Sequence, residues 1–148
     1  WRPSRCSSLR ACRIAAIEGM LDSGRIAGQR ELFLGQLAAA VPGLVVNGHA
    51  ERRVSGNLNV TFPGGVTAQA IMEAAPLVCV STGSACSSAS IETSYVLRAI
   101  GLDETAARAT LRIGIGRFTS PADAELAAAG LAEAWRQAVA ARAGRPAA

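Results

Sequence analysis

The sequence TLRIGIGRFTSPAD, residues 110–123, contains a strand and the start of a helix. Leu111, Ile113 and Ile115 alternate with smaller or polar residues, and this period of two predicts a half-buried strand. The pair Ser120-Pro121 is a preferred helix opening, because serine caps the first free backbone N–H groups and proline already has a helical φ. The stretch therefore predicts a sheet strand that leads directly into a covering helix.

Arg112 lies on the face of this predicted strand, Thr110–Gly116, opposite the aliphatic side chains. Most arginines on the open face of a sheet are simply solvated. Gly114 and Gly116, however, leave open space beside the guanidinium, which can bind a carboxylate through two parallel hydrogen bonds. The pattern alone leaves both roles open: a surface arginine, or a carboxylate-binding group.

Three further stretches predict the rest of the sheet. Arg53–Phe62 alternates apolar and polar residues and is predicted as a half-buried strand, with Gly56 as a bulge. Leu44–Val46 is a short apolar strand, closed by the turn signal Asn47-Gly48. Leu77–Val80 is predicted as a second fully apolar strand.

Helices are predicted before, between and after these strands in the sequence. From Leu9 to Ala40 apolar residues recur at spacings of three and four, which predicts a helix with an interruption at Ser23-Gly24. A second helix is predicted over Thr67–Ala75, capped by Thr67. A third has an apolar face of Tyr95, Val96, Ala99 and Ile100 and ends at Gly101. A last helix has Leu131, Trp135 and Val139 toward the core. The predicted fold is α/β of the α+β type, a small, mostly antiparallel sheet covered by helices.

Composition limits the possible functions. The chain has 148 residues and 50% hydrophobic composition, which is enough for one core of ordinary size. No apolar run approaches the about 18 residues of a membrane span, and no signal-peptide pattern is present, so a soluble, cytoplasmic protein is expected. The net charge of +4 comes from 15 scattered arginines without any lysine, and only six aromatic residues could stack on bases, so nucleic-acid binding is not expected.

The sequence STGSACSSAS, residues 81–90, has no side chain larger than threonine and carries Cys86 at its middle. Such a stretch buries too little apolar area to offset its backbone entropy, which predicts a thiol on a flexible arm. Cys79, between two valines of an apolar strand, is predicted to be a core cysteine. Cys6 and Cys12 suggest no function.

Several common chemistries of cysteine do not fit this chain. The four cysteines include no Cys-x-x-Cys pair, which argues against zinc. A phosphatase loop would have arginine where Glu92 stands, and the only histidine available to a cysteine protease, His49, follows a predicted turn. A phosphate-binding loop of the Gly-Lys-Ser/Thr type needs a lysine, and the sequence has none.

Three motifs together resemble the C-terminal part of the group I cysteine desulfurases, the NifS/IscS-like enzymes of the class V aminotransferase family. They are STGSACSSAS at 81–90, SYVLRAIGL at 94–102 and LRIGIGRFT at 111–119, and NLNVTF at 57–62 fits a strand of the same family. The resemblance runs from about Ala27 to Ala140. It implies the C-terminal small domain of a fold type I transferase that depends on pyridoxal 5'-phosphate.

The resemblance also implies a reaction. Enzymes of this family use pyridoxal phosphate to take sulfur from L-cysteine, leaving L-alanine and an enzyme persulfide. By matching position, Cys86 resembles the sulfur-accepting nucleophile and Arg112 the group that holds the substrate carboxylate. In a complete enzyme, which is expected to be a homodimer, the sulfur would pass to an iron-sulfur scaffold or another sulfur-acceptor protein.

Two departures from the family pattern bear on activity. Ile91-Glu92-Thr93-Ser94 stands where the family has Leu-Glu-Pro-Ser, so the start of the following helix loses its proline. The family's Schiff-base lysine, ring-stacking histidine and ring-nitrogen aspartate belong to an N-terminal large domain, and His49 does not match that histidine. No cofactor-binding residue is therefore assigned in this chain, and the chain alone is expected to be inactive.

The resemblance predicts three parts of the chain. Residues 1–26 are expected to be a partial or non-native linker helix, of which Trp1–Arg13 matches the family poorly; residues 27–142 form the small domain, and 143–148 a frayed tail. The chain is interpreted as a fragment or truncated gene product. Two alternatives stay open: a stand-alone persulfide carrier that accepts sulfur on Cys86, and an inert structural domain.

Overall fold

A computed structural model describes residues 5–82 and 94–144. The elements in chain order are α1 (Arg5–Ala40), β1 (Val45–Val46), β2 (Asn57–Thr61), α2 (Ala68–Ala74), α3 (Tyr95–Ala99), α4 (Glu104–Arg108), β3 (Thr110–Gly114) and α5 (Pro121–Ala143). The strands form an antiparallel sheet in the order β1-β2-β3. The predicted class, a small antiparallel sheet covered by helices, is confirmed.

One face of the sheet forms the core. Leu58 and Val60 from β2 are fully buried together with Leu111 from β3, because alternate residues of a strand point to the same face. Helices α1, α2 and α5 cover this face, and their most deeply buried side chains are Phe33, Leu37, Ile71 and Leu131. Burying each large aliphatic or aromatic side chain contributes about 1.5–3 kcal/mol. The opposite face of the sheet carries the polar residues.

The predicted helix caps are present. The Thr67 hydroxyl accepts a hydrogen bond from the Ala70 N–H at 3.2 Å, as a cap of α2. At the start of α5 the Ser120 hydroxyl accepts from the Asp123 N–H at 3.1 Å, and the Asp123 carboxylate accepts from the Ser120 N–H at 2.9 Å. The hydroxyl and the backbone N–H of Ser120 lower the pKa of Asp123. This capping box fixes the point where the chain leaves the sheet for α5.

The predicted interruption of the first helix was wrong, since α1 passes through Ser23-Gly24 without a break. One glycine costs a helix only about 1 kcal/mol relative to alanine, and neighbouring contacts offset that cost. Asp22 pairs with Arg25 at 3.0 Å across the dipeptide, and Arg25 also donates to the Arg117 carbonyl. The apolar residues of the first half of α1 are on the helix but exposed: Ile14, Ile17, Met20 and Leu21.

The Arg117 guanidinium attaches the turn after β3 to α1. It pairs with Asp22 at 2.7 Å and with Glu18. The hydrogen bond from Arg117 lowers the pKa of Asp22, and the two carboxylates raise the pKa of Arg117. These groups remain partly open to solvent, so the pairs position the turn and add little stability.

Cys79 is exposed, so its predicted place in the core was wrong. The segment Leu77–Val80 is also a turn and an extended stretch rather than a strand, and Leu77 is 96% exposed. The Val78 N–H closes a turn onto the Ala75 carbonyl, after which Val78 and Val80 pack against the core. Because side chains alternate along extended backbone, Cys79 between them points outward.

Two further predictions needed correction. The strand predicted from Arg53 begins only at Asn57, and Val54 is 73% exposed in the preceding turn. Helix α3 buries Leu97, whereas Tyr95, Val96, Ala99 and Ile100, the face predicted to be apolar, are exposed. A helix of five residues is too short for apolar spacing to fix its orientation. Gly101 ends it with φ of +92°, the left-handed conformation predicted there.

Gly56 supports the contact between β2 and β3, and replacing it with alanine is expected to destabilise the fold. A Cβ at Gly56 would lie 2.0 Å from the Ile115 carbonyl oxygen, which is a backbone atom. This atom cannot move away without disturbing the 2.8 Å hydrogen bond that the Ile115 N–H donates to the Gly56 carbonyl. Overpacking of this kind costs about 1–3 kcal/mol. The shift in urea midpoint of G56A measures this cost.

Gly114→Ala is the matched control for this substitution. Gly114 lies on the same ladder, paired with Asn57, and no atom is within 4 Å of a Cβ built there. Its free energy of unfolding should change by less than about 1 kcal/mol in either direction. Equal losses in both variants would contradict the steric explanation.

Candidate substrate-binding cleft

An open cleft of about 740 Å³ lies on the polar face of the sheet. Its floor includes Asn59 of β2 and Arg112 of β3, and one wall is the 47–54 segment that joins β1 to β2. Leu97 and neighbouring residues of α3 form another wall. Thr82 and Ser94 also line the cleft.

Arg112 is held by backbone pairing on both sides. Asn59 is its partner in β2, and on the other side its N–H and carbonyl pair with Ser81 at 2.6 and 3.1 Å. The side chain is exposed, as the alternation predicted. Within residues 5–82 and 94–144 its guanidinium forms no ion pair and no side-chain hydrogen bond. A planar group with five N–H donors, none of which is bonded to a described residue, therefore faces the cleft on a fixed backbone.

The cleft has the electrostatic character of an anion site. Arg52, Arg53 and Arg112 line it, and its described lining contains no aspartate or glutamate. His49 lines it as well, and its Nδ1 accepts from the N–H groups of Glu51 and Arg52, both at 3.1 Å. Because Nδ1 accepts, a neutral His49 carries its proton on Nε2. A cleft whose described lining has arginines but no acidic side chains favours binding of a ligand that carries a carboxylate or another anionic group.

A row of hydrogen-bonded polar side chains runs beside Arg112. Asn47, only 9% exposed, donates from Nδ2 to Asn59 Oδ1 and to Thr61 Oγ1, both at 2.8 Å. The hydroxyls of Thr61 and Thr110 are 2.7 Å apart, and Thr110 donates to the Ala106 carbonyl at 2.7 Å. No buried side-chain nitrogen or oxygen lacks a partner in the described part of the chain. These four side chains therefore form a fixed hydrogen-bond network on the polar face, beside the exposed Arg112.

The structure places only one of the two predicted site residues. Arg112 lies in the cleft, whereas Cys86 lies outside the described residues. Thr82 and Ser94, which line the cleft, flank the segment 83–93 that contains it. Cys12 and Cys79 are exposed free thiols on described parts of the chain.

Sequence reasoning missed Asn47 and Asn59. Asn57, Asn59 and Thr61 occupy alternate positions of the predicted strand, so the pattern contained a signal for a polar face. Their link to Asn47 depends on the pairing of β1 with β2, which no local pattern specifies. Within 5–82 and 94–144, no three histidine, cysteine, aspartate or glutamate side chains are grouped for metal binding, and no helix has the length and hydropathy to cross a membrane.

Comparisons with known proteins identify relatives of the chain. No protein-family model matches it. It is 46% identical over 111 residues to a cysteine desulfurase IscS of Anaeromyxobacter sp. (strain Fw109-5), covering 75% of this chain and 27% of that protein. A mitochondrial cysteine desulfurase of Arabidopsis thaliana is 44% identical over 110 residues, covering 74% of this chain and 24% of the relative. The chain thus spans about a quarter of the length of these relatives.

Solved structures give the same relationship at the level of the fold. A NifS-like protein from Rickettsia africae ESF-5 superposes with a TM-score of 0.65 at 22% identity, covering 77% of this chain and 29% of that one. Another NifS-like protein gives a TM-score of 0.69 at 19% identity, with 84% and 31% covered. The resemblance drawn from the sequence motifs is confirmed. The chain therefore belongs, over three quarters of its length, to the family of NifS/IscS-type cysteine desulfurases.

Proposed function

We propose that this chain supplies the carboxylate-binding and sulfur-accepting residues of a cysteine desulfurase. Arg112 would bind the carboxylate of L-cysteine, and Cys86 would accept its sulfur as a persulfide. One observation carries the proposal: the Arg112 guanidinium, which has no ion-pair or hydrogen-bond partner among the described residues, lies in a cationic cleft that is also lined by Thr82 and Ser94, the two residues on either side of the Cys86 segment. Substrate and acceptor would therefore meet at one site.

The proposed reaction balances in atoms and electrons. The Cys86 thiol and L-cysteine give a Cys86 persulfide and L-alanine: the carbon–sulfur bond of the substrate breaks, and a sulfur–sulfur bond forms. The attacking species is the thiolate, which makes up only a few per cent of a thiol with a pKa of about 8.5 at neutral pH. A positively charged cleft favours the anion, so a thiol that enters it becomes a better nucleophile.

The residues of this chain do not fit pyridoxal phosphate as its only holders. That cofactor is held as a Schiff base on a lysine amine, and this sequence contains no lysine. We therefore place the cofactor in the remainder of a complete desulfurase. We further propose that such an enzyme is a cytoplasmic homodimer that passes the sulfur to an iron-sulfur scaffold or another acceptor protein.

The isolated chain is expected to be inactive toward L-cysteine. With added pyridoxal phosphate it should release neither alanine nor sulfide above the rate of cofactor and buffer alone, because it offers no lysine to hold the cofactor. Alanine is measured by amino-acid analysis, with an intact cysteine desulfurase as the positive control. Clear turnover by the chain alone would contradict this part of the proposal.

A labelling experiment distinguishes the two alternatives to an enzyme fragment. The chain is incubated with an intact desulfurase and ³⁵S-labelled L-cysteine, and the chain is then separated without reductant. Label on Cys86 in the absence of turnover by the chain would support a stand-alone persulfide carrier. No label, together with an ordinary thiol reaction rate, would favour an inert domain.

A further inference from the structure

The hydrogen-bond network on the polar face has a direction that chemistry fixes. It ends at the Ala106 carbonyl, which can only accept, so the Thr110 hydroxyl must donate to it. A hydroxyl has one proton, and Thr110 must therefore accept the bond that it shares with Thr61. Thr61 thus donates its only hydroxyl proton to Thr110, and its oxygen accepts a hydrogen bond from Asn47. The donor and acceptor of each hydrogen bond are therefore fixed by the Ala106 carbonyl, which cannot donate.

The same logic fixes the Asn47 amide. Its two N–H groups have two acceptors, Thr61 Oγ1 and Asn59 Oδ1, both 2.8 Å from the nitrogen. A flipped amide would place the Asn47 oxygen against the Thr61 oxygen, whose proton is already donated elsewhere. Asn47 is only 9% exposed, so water is a poor substitute for the lost bonds. The network therefore holds the Asn59 oxygen toward Asn47.

The order of the strands then determines where the Asn59 amide nitrogen lies. Asn59 in β2 is flanked by Asn47, whose backbone N–H donates to its carbonyl, and on the other side by Arg112 in β3. With its oxygen turned toward Asn47, its NH₂ group is on the Arg112 side. Within 5–82 and 94–144 no side chain or backbone group accepts from this NH₂ group or from the Arg112 guanidinium.

The Asn59 amide and the Arg112 guanidinium are therefore neighbouring sets of donors for which the described residues provide no acceptor. Directly opposed residues of antiparallel strands have Cβ atoms about 4.5–5.5 Å apart, so the amide and the guanidinium can reach one small ligand. A carboxylate accepts at about four lone-pair positions and can take both. Asn59 and Arg112 both line the cleft.

We infer that Asn59 is a second donor to the carboxylate of an α-amino acid bound at Arg112, and that Asn47, Thr61 and Thr110 position it. This inference rests on the proposed function, which assigns the carboxylate to Arg112. Asn59 touches the ligand, whereas Thr110 acts only through the network. Removing the amide should weaken binding of the carboxylate about ten- to hundredfold, as expected for a hydrogen bond to a charged group.

The test uses NMR of the ¹⁵N-labelled full chain with L-alanine, and with L-alaninamide as the probe without a carboxylate. L-alanine should shift the Arg112 Nε–H and Asn59 side-chain resonances together, and L-alaninamide should shift neither resonance. Asn59→Leu should weaken L-alanine binding about ten- to hundredfold. Asn57→Leu, two positions earlier on the same face of β2 and opposite Gly114, should change it less than threefold.

A second measurement tests the positioning network without substitution of Asn59. In the ligand-free chain the Asn47 side-chain amide protons should exchange slowly and those of Asn59 fast. Thr110→Val should speed exchange at Asn47 and weaken L-alanine binding, and Thr110→Ser, which keeps the hydroxyl, should restore both.

The outcomes separate the two claims. Shifts at Arg112 with unchanged affinity in Asn59→Leu, or protection at Asn59 rather than Asn47, would overturn the inference and leave the proposed function in place. No response of Arg112 to L-alanine would overturn both.

Discussion

Replacing Cys86 by serine is expected to abolish desulfurase turnover in a complete enzyme that carries this segment. Residues 27–142 can replace the matching part of the Anaeromyxobacter sp. desulfurase, which is 46% identical to this chain over 111 residues and supplies the remaining three quarters of the enzyme. A serine hydroxyl is a far weaker nucleophile near neutral pH and cannot hold sulfur as a persulfide. Loss of a nucleophile of this kind lowers kcat by at least about 10³-fold. Alanine release and ³⁵S on the protein measure the loss.

Cys79→Ser is the matched control for this experiment. The Cys79 thiol is exposed and Cys79 lies seven positions before Cys86 in the sequence, so the two variants remove the same chemical group from neighbouring sequence positions. Its turnover should stay within about twofold, as expected for a surface substitution. Equal losses in both variants, or persistent label in C86S, would contradict the assignment of Cys86.

The spacing of apolar residues and the helix-capping side chains predicted much of the fold. The alternation of Leu111, Ile113 and Ile115 fixed which side of β3 is buried, and the caps at Thr67 and Ser120 were predicted because they depend on neighbouring residues alone. The segment from Leu77 to Val80 was misassigned because an apolar run does not show whether a strand partner exists. Here the contact with the sheet is a single bridge at Ser81.

The candidate site was predictable only where it depends on neighbouring residues, as in the fold. The exposure of Arg112 follows from local alternation, whereas the role of Cys86 came from the family resemblance. Asn47 reaches Asn59 and Thr61 only because β1 and β2 pair in one register. Register is a property of two distant segments, so reading either one separately does not reveal the network.

Replacing Arg112 by glutamine is expected to lower kcat/KM for L-cysteine about 10²- to 10⁴-fold in the same chimeric enzyme. Arg112 faces the cleft without a partner in the described part of the chain, so its donors are free for the substrate. Two charge-assisted hydrogen bonds of about 1.5–3 kcal/mol each would be lost, and each 1.36 kcal/mol corresponds to about tenfold in rate. Arg112→Lys keeps the charge but not the two-point geometry, so it should recover only part of the loss. Steady-state alanine release gives the ratio.

A substrate without a carboxylate tests the cause of this defect. Cysteamine keeps the thiol and amine of L-cysteine, so wild-type and R112Q enzymes should process it at similar, low rates, because neither can use the missing carboxylate. Arg108→Gln removes an exposed arginine that pairs with Glu104 on α4, and should leave both substrates unaffected. If R112Q were equally impaired with cysteamine, Arg112 would act through the fold rather than through the carboxylate. Since its backbone is fixed by Asn59 and Ser81 while its side chain forms no hydrogen bond or ion pair with the described residues, the substrate-specific result is the one expected.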